Sequence, residues 1–251
     1  MPLAIRKPDQ PRFPRLRALS RRLRGDTSGL ALIEFALSLP LFLGLGMFGV
    51  ELAWFAVTNM NVSQVSLSIA DNAARMGQTT SSTTSKTIYR SDVNSVFAGA
   101  AHQAGSIDLL RNGRIVLSSV ETLGASGKQV IRWQRCAGLG DYDSDYGDEN
   151  TVESNGSGFT GMGPAGRQIR AQDGEAVMYV EVFYEYNGLF GDMFIGDEVI
   201  KHEAAFPVRD DRNLGPKVAN DGAHDPVCNQ PPPGDEDDDD CAILGLVCIL
   251  P

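Results

Sequence analysis

Two carboxylates stand inside the most apolar stretch of this 251-residue chain, and a charge in such surroundings requires a partner. The stretch runs from Leu30 to about Val57, with Glu34 near its start and Glu51 near its end. Gly29 stands immediately before it, five residues ahead of Glu34. Because an unpaired charge in an apolar bundle is costly, Glu34 is a candidate for ion pairing.

Three alternating aspartates form a second group that could do chemistry. Asp141, Asp143 and Asp145 supply the carboxylate oxygens that calcium prefers. An EF-hand loop needs glycine at its sixth position and glutamate at its twelfth, and counting from Asp141 these positions hold Tyr146 and Val152. Two interpretations therefore stay open, a calcium site of another type and a solvated acidic loop.

The cysteines are candidates for disulfide bonds. An even number of cysteines outside the cytoplasm allows such bonds, and four cysteines allow three pairings, between which the sequence does not choose. The three histidines are scattered and none stands at metal-ligand spacing, so no cofactor other than possible calcium is expected. The candidate disulfide cysteines are Cys136, Cys228, Cys241 and Cys248.

The charge is distributed very unevenly along the chain. The net charge is -10, yet residues 1–29 carry eight Lys or Arg and two Asp, which leaves -16 on the remainder. A basic end before an apolar span predicts a cytoplasmic N-terminus and a periplasmic or extracellular remainder. An acidic body is repelled by phosphates, so nucleic acid is not an expected partner.

The apolar stretch predicts a membrane-spanning helix. Its 28 residues make a helix of about 42 Å, longer than the roughly 30 Å hydrocarbon core of a bilayer. The helical pattern continues to residue 76, before Gly77, and Pro40 is expected to bend the helix. An ordinary single-pass anchor gives the same pattern. A secretory signal peptide fits less well, because the run is too long and no Ala-x-Ala site follows.

The region after the long helix predicts a small α+β head. Its patterns indicate one helix and four strands joined as an antiparallel sheet, with a surface loop over about 137–175. The predicted helix is Ser91–His102, and the predicted strands are Arg114–Val120, Gln129–Arg135, Ala176–Tyr186 and Glu198–Val208.

Composition divides the chain into four parts. Residues 1–29 form a basic cytoplasmic leader and 30–77 the transmembrane and extended helix. Residues 78–212 form the extracytoplasmic head, which is long enough for one hydrophobic core. Residues 213–251 are expected to be a Pro- and Asp-rich disordered tail with an apolar, cysteine-containing end.

The N-terminal block, about residues 22–76, resembles the TadE-like proteins, which are minor pseudopilins of the Flp/Tad tight-adherence pilus system. The resemblance rests on a basic stretch and a small-residue turn followed by short motifs. These motifs are Glu34-Phe35-Ala36-Leu37, Pro40, Gly49-Val50-Glu51-Leu52 and the helix end Ala70 to Arg75.

The resemblance implies a function in pilus assembly and no catalysis of its own. It implies cleavage by prepilin peptidase between Gly29 and Leu30, which makes Glu34 the fifth residue of the mature chain. Glu34 and Phe35 would then act in assembly, with Glu34 pairing with the new amine of a neighbouring subunit. The implied partners are the peptidase, other pilins and pseudopilins, and the inner-membrane proteins of the Tad machine. The alternatives are an uncleaved single-pass scaffold of the same machine and a membrane-tethered calcium-binding adhesin head.

Overall fold

The computed structural model describes residues 29–79, 85–122, 127–149, 160–209, 212–214 and 217–228. The chain divides into two compact units, residues 1–50 and 51–251. In chain order the elements are α1 Leu30–Arg75, α2 Arg90–Ala104, β1 Gly113–Thr122, β2 Gln129–Ala137, β3 Ala176–Glu185 and β4 Val199–Pro207. Short 3₁₀ turns lie at Gly105–Ile107 and Gly191–Met193. The α+β class predicted from the sequence is confirmed.

Helix α1 is 46 residues long and begins in the first unit. In that unit its large apolar side chains are exposed, as expected for a surface that needs a non-aqueous environment. This is the one described helix that is long and apolar enough to cross a membrane, with a mean hydropathy of 2.0 in its most apolar window. Pro40 lies inside it, as predicted.

In the second unit, the later part of α1 supplies one wall of the core. Val62, Val65, Ile69 and Ala73 are buried, and their spacing of three and four residues places them on one face of the helix. They join α2 and one face of the sheet in a single hydrophobic cluster. The amphipathic pattern thus makes α1 a part of the head's core.

All strand pairs are antiparallel, in the order β2-β1-β3-β4. The four predicted strands are present with small shifts at their ends; for example, β3 is Ala176–Glu185 where the pattern predicted Ala176–Tyr186. A bulge between Ser119 and Val120 shifts the register of β1 against β2.

The second face of the sheet is also covered, which corrects the prediction of a simple surface loop over 137–175. Met162 and Ala171 from this connection are buried against Val177 and Tyr179 of β3. Among the described residues of this connection, 137–149 and 160–175, some are buried, because β3 carries apolar residues on both of its faces and both must leave water.

Residues 217–228 pack on the head, so the head extends beyond the boundary predicted at residue 212. The backbone N–H of Cys136 in β2 donates to the Pro226 carbonyl at 2.8 Å, and the Ala219 N–H donates to the Ile88 carbonyl at 2.8 Å. This segment thereby covers part of the edge strand β2, which would otherwise present unpaired backbone groups. The Pro- and Asp-rich part of the predicted disordered tail lies outside the described residues.

Candidate functional site

The predicted cleavage point lies at the start of α1. The helix begins at Leu30, and the Gly29 carbonyl accepts a hydrogen bond from the Ile33 N–H at 3.1 Å. A Cβ atom built on Gly29 would meet no atom within 4 Å. The Gly29–Leu30 peptide bond therefore stands at a helix end, with open space on the glycine.

Glu34 and Phe35 both lie in the exposed first part of α1. Glu34 is one helical turn after Leu30, and its neighbours along the helix are apolar. The structure therefore places the predicted assembly residues together on an apolar helix surface, where a carboxylate has strong need of a counter-charge.

Glu51 has a different environment, because it is completely buried in the second unit. Its Oε1 accepts a hydrogen bond from the Tyr186 hydroxyl at 2.6 Å, and its Oε2 accepts one from the Phe190 N–H at 3.2 Å. A Cβ on Gly188 would lie 2.5 Å from Glu51 Oε1 and 2.7 Å from the Gly191 carbonyl oxygen, and the second, backbone contact favours glycine at this position. We call Glu51, Tyr186, Gly188 and Phe190 the Glu51 seat.

The Glu51 seat joins α1 to the end of β3 and the connection that follows it. The Tyr186 ring also contacts the Phe55 ring edge-on, with centroids 5.0 Å apart. Burial, together with the hydrogen bond to Glu51, raises the pKa of the Tyr186 hydroxyl, so it remains a donor at neutral pH. The sequence placed Glu51 near the far end of the apolar stretch and in the motif Gly49-Val50-Glu51-Leu52. The signal for a buried partner was a carboxylate within a mostly apolar run.

A second polar cluster lies on the other face of the sheet, around Lys201. Glu181 and Glu203 stand directly opposite each other on β3 and β4, where two like charges repel. The Lys201 ammonium resolves this repulsion, since its Nζ lies 3.2 Å from Glu181, 2.7 Å from Glu203 and 2.5 Å from Asp145. Ser144 donates a short hydrogen bond to Glu181.

The pKa values in this cluster follow from burial and from the shared lysine. Burial raises the pKa of Glu181, although Ser144 and Lys201 oppose the rise. Burial also acts on Glu203, but hydrogen bonds from Lys201, Tyr146 and Tyr179 outweigh it and lower the pKa of that carboxyl. For Lys201, burial is outweighed by the hydrogen bonds to Asp145 and Glu203, which raise the pKa of the ammonium.

The structure does not bring Asp141, Asp143 and Asp145 together as one group of ligands. Among the described residues, the carboxylates that converge within 4.8 Å are those of Asp145, Glu181 and Glu203. The ammonium of Lys201 contacts all three of these. The three alternating aspartates predicted as calcium ligands therefore do not form a site in this geometry, and the convergent carboxylates already share a cation from the chain itself.

One disulfide joins Cys136 of β2 to Cys228, with Cα atoms 4.8 Å apart. Both cysteines were candidates, whereas Cys241 and Cys248 lie outside the described residues. The bond closes the second sheet face beside Val116 and Phe183. It is a structural link between the sheet and the C-terminal segment.

Buried Arg135 reinforces that link. Its guanidinium lies 2.7 Å from Glu149 and 2.6 Å from Asp225, so it ties two separate segments to β2. Arg90 at the start of α2 reaches the same Asp225 at 3.0 Å. These ion pairs hold the C-terminal segment in place against the edge of the sheet.

No protein-family model, curated protein or solved structure matches this chain. The architecture of the described residues is a long apolar N-terminal helix followed by an α+β head, and the core of the head includes the later part of that helix.

Proposed function

We propose that this chain is a membrane-anchored pseudopilin that supports assembly of a Flp/Tad-type adhesive pilus and is cleaved by prepilin peptidase after Gly29. The proposal rests on helix α1, on where it begins and on the different surroundings of its first and later parts. The helix begins at Leu30, directly after Gly29, and presents exposed apolar side chains in its first part. Its far part packs into a small head.

The position of Gly29 supports processing. A peptidase needs an extended peptide at its catalytic groups, and a helix end frays more easily than a helix interior. Cleavage after Gly29 would release a new amine on Leu30 and leave Glu34 one turn further along α1.

The environment of Glu34 supports a function in assembly. In an apolar bundle of helices its carboxylate needs a cation, and the amine of a neighbouring processed subunit supplies one of matching charge. Such a pair is formed only in correct register, because a mismatch leaves two unpaired charges in apolar surroundings.

The charge distribution supports a cytoplasmic leader and an extracytoplasmic head. The basic residues 1–29 favour the cytoplasmic side. A disulfide between Cys136 and Cys228 is the kind of bond that persists in an oxidising compartment. The proposal assigns the chain no reaction of its own, since it is the substrate of the peptidase and a component of the assembly.

N-terminal sequencing of the protein purified from its native membrane tests the proposal. A start at Leu30 supports processing, and Gly29→Ala is expected to abolish it. Gly44→Ala is the matched control, because it makes the same change inside α1, where a Cβ also meets no atom within 4 Å. A start near Met1 in the unaltered protein would refute cleavage and favour the uncleaved scaffold of the same machine.

Glu34→Gln separates anchoring from assembly. The amide keeps the size of the side chain and removes its charge, so the protein should remain in the membrane while incorporation with other pilins is lost. Glu198→Gln, at an exposed position of the head, is the control and should assemble normally. Normal assembly of Glu34→Gln would contradict the ion-pairing step.

A further inference from the structure

The connection between β3 and β4, residues 187–198, carries an unusual density of exposed apolar side chains. Met193 is 70% exposed and Leu189 is 53% exposed. Phe190 and Phe194 each follow one of these residues in the sequence; their ring centroids are 5.9 Å apart and both are partly buried. We call residues 187–198 the apolar loop.

The Glu51 seat fixes the position of the apolar loop. The Phe190 N–H donates to Glu51 at 3.2 Å, and Gly188 passes so close that a Cβ would lie 2.5 Å from the Glu51 carboxylate. The loop is therefore attached to α1 at residue 51 by a buried polar contact and is not free to turn away from it.

Glu51 also interrupts the apolar stretch of α1 near its far end. From Leu30 to Glu51 the rise along a helix is about 32 Å, which matches the roughly 30 Å hydrocarbon core of a bilayer. Trp54 and Phe55, which follow within one turn, are residue types enriched at the boundary between lipid and water. The apolar loop is therefore attached to α1 close to the residues at which such a span would leave the hydrocarbon core.

We propose that the apolar loop is a lipid-contact site, in which Leu189 and Met193 insert into the outer interface of the bilayer that the chain's own helix spans. This inference rests on the membrane anchoring in the proposed function and adds a second point of attachment for the head.

The chemistry of the loop identifies the lipid interaction as apolar. Its charged residues, Asp192, Asp197 and Glu198, are all acidic, so anionic headgroups would repel it. Binding of the loop is expected with zwitterionic phosphatidylcholine, and added salt should not release it, in contrast to a basic surface patch.

Photocrosslinking of the full-length chain in phosphatidylcholine nanodiscs tests the proposal. A benzophenone amino acid placed at Met193 is expected to give an adduct with the mass of one lipid. Ile169 is the matched control, since it is apolar and 41% exposed. It pairs with Met162, which packs on Val177 at the opposite end of β3, about 30 Å from the loop. No lipid adduct is expected there.

A third probe position separates failure of this inference from failure of anchoring. Leu37 lies in the first part of α1 and is 73% exposed, so a probe there should label lipid if the helix spans the bilayer. Lipid adducts at Leu37 but none at Met193, or equal yields at Met193 and Ile169, would overturn the lipid-contact site alone. Absence of lipid adducts at both Leu37 and Met193 would overturn the anchoring as well.

Two further measurements identify the occupant of the loop. Leu189→Asp combined with the probe at Met193 should lose the lipid adduct, because a charge in place of an inserted apolar side chain opposes insertion. A retained adduct would contradict insertion. In native membranes, an adduct at Met193 with another protein or with a second copy of the chain, in place of lipid, would overturn the proposal.

Discussion

Replacing Tyr186 with phenylalanine removes one hydroxyl from the Glu51 seat and keeps the ring that contacts Phe55. The hydroxyl donates to Glu51 Oε1 at 2.6 Å, and Glu51 is fully buried. A hydrogen bond to a charged group contributes about 1.5–3 kcal/mol, and the carboxylate would keep only the Phe190 N–H. With a change of about 2–4 °C per kcal/mol for 150–250 residues, Tyr186→Phe should lower Tm by about 3–12 °C.

Thermal unfolding of the full chain in detergent, followed by near-ultraviolet circular dichroism, measures this loss. The matched control is Tyr142→Phe, which also removes a hydroxyl that donates to a glutamate, here Glu185 at 2.9 Å. That pair is exposed, so its loss should cost less than about 1 kcal/mol.

Equal decreases of Tm in Tyr186→Phe and Tyr142→Phe would show that burial of the glutamate acceptor does not strengthen the Tyr186 hydrogen bond. A double-mutant cycle with Glu51→Gln gives an independent check. The two changes remove the same contact, so their effects should be clearly less than additive. Additive losses would show that Tyr186 and Glu51 act separately.

Three further predictions concern the head. Gly138→Ala should cost about 2–6 kcal/mol, because left-handed strain adds to a Cβ overlap. Gly138 has a φ of +107°, and a Cβ there would lie 2.3 Å from a backbone oxygen. Gly174→Ala is the control, because Gly174 has a φ of +78° with open space around it and the change adds backbone strain without overlap. Denaturant unfolding of both variants measures the difference in stability. Cys228→Ser should lower stability by about 4–5 kcal/mol in a denaturant titration, since the disulfide spans 92 positions. Glu203 has a lowered pKa in the folded protein. The stability that its carboxylate contributes is therefore fully present above pH 4.5, the ordinary pKa of glutamate, and is lost as the pH falls through the lower pKa of the folded state. Lys201→Met should reduce that loss when unfolding is compared between neutral pH and about pH 3; an unchanged pH profile would contradict the ion pairing.

Local periodicity was sufficient to predict the elements of this fold. Helix α1 is identified by its length and its apolar and amphipathic parts, and β3 by its β-branched and aromatic residues. On the second face of β3, Val177 and Tyr179 alternate with Glu181 and Glu185, and this mixed pattern does not predict what covers the face. In the structure Val177 and Tyr179 pack against Met162 of the connection, and Glu181 is buried beside Ser144 and Lys201, whereas Glu185 is exposed.

The contacts that organise the candidate sites could not be predicted from local pattern. Tyr186 reaches Glu51 across 135 positions, and Arg212 reaches the Ala74 carbonyl across 138. Periodicity reports which face of an element is apolar, not which distant polar group faces it. The disulfide pairing was open for the same reason, because three arrangements satisfy four cysteines equally well.

The end of α1 is closed by a residue that is far away in the sequence. The Arg212 guanidinium donates to the Ala73, Ala74 and Met76 carbonyls, which a helix leaves without partners at its C-terminus. A nascent chain is made from its N-terminus, so α1 waits for nearly the whole head to be synthesised before these carbonyls are satisfied. Cys228, which fixes the last described segment, comes later still. A product shortened before residue 212 would therefore leave these carbonyls at the end of α1 without the guanidinium that caps them.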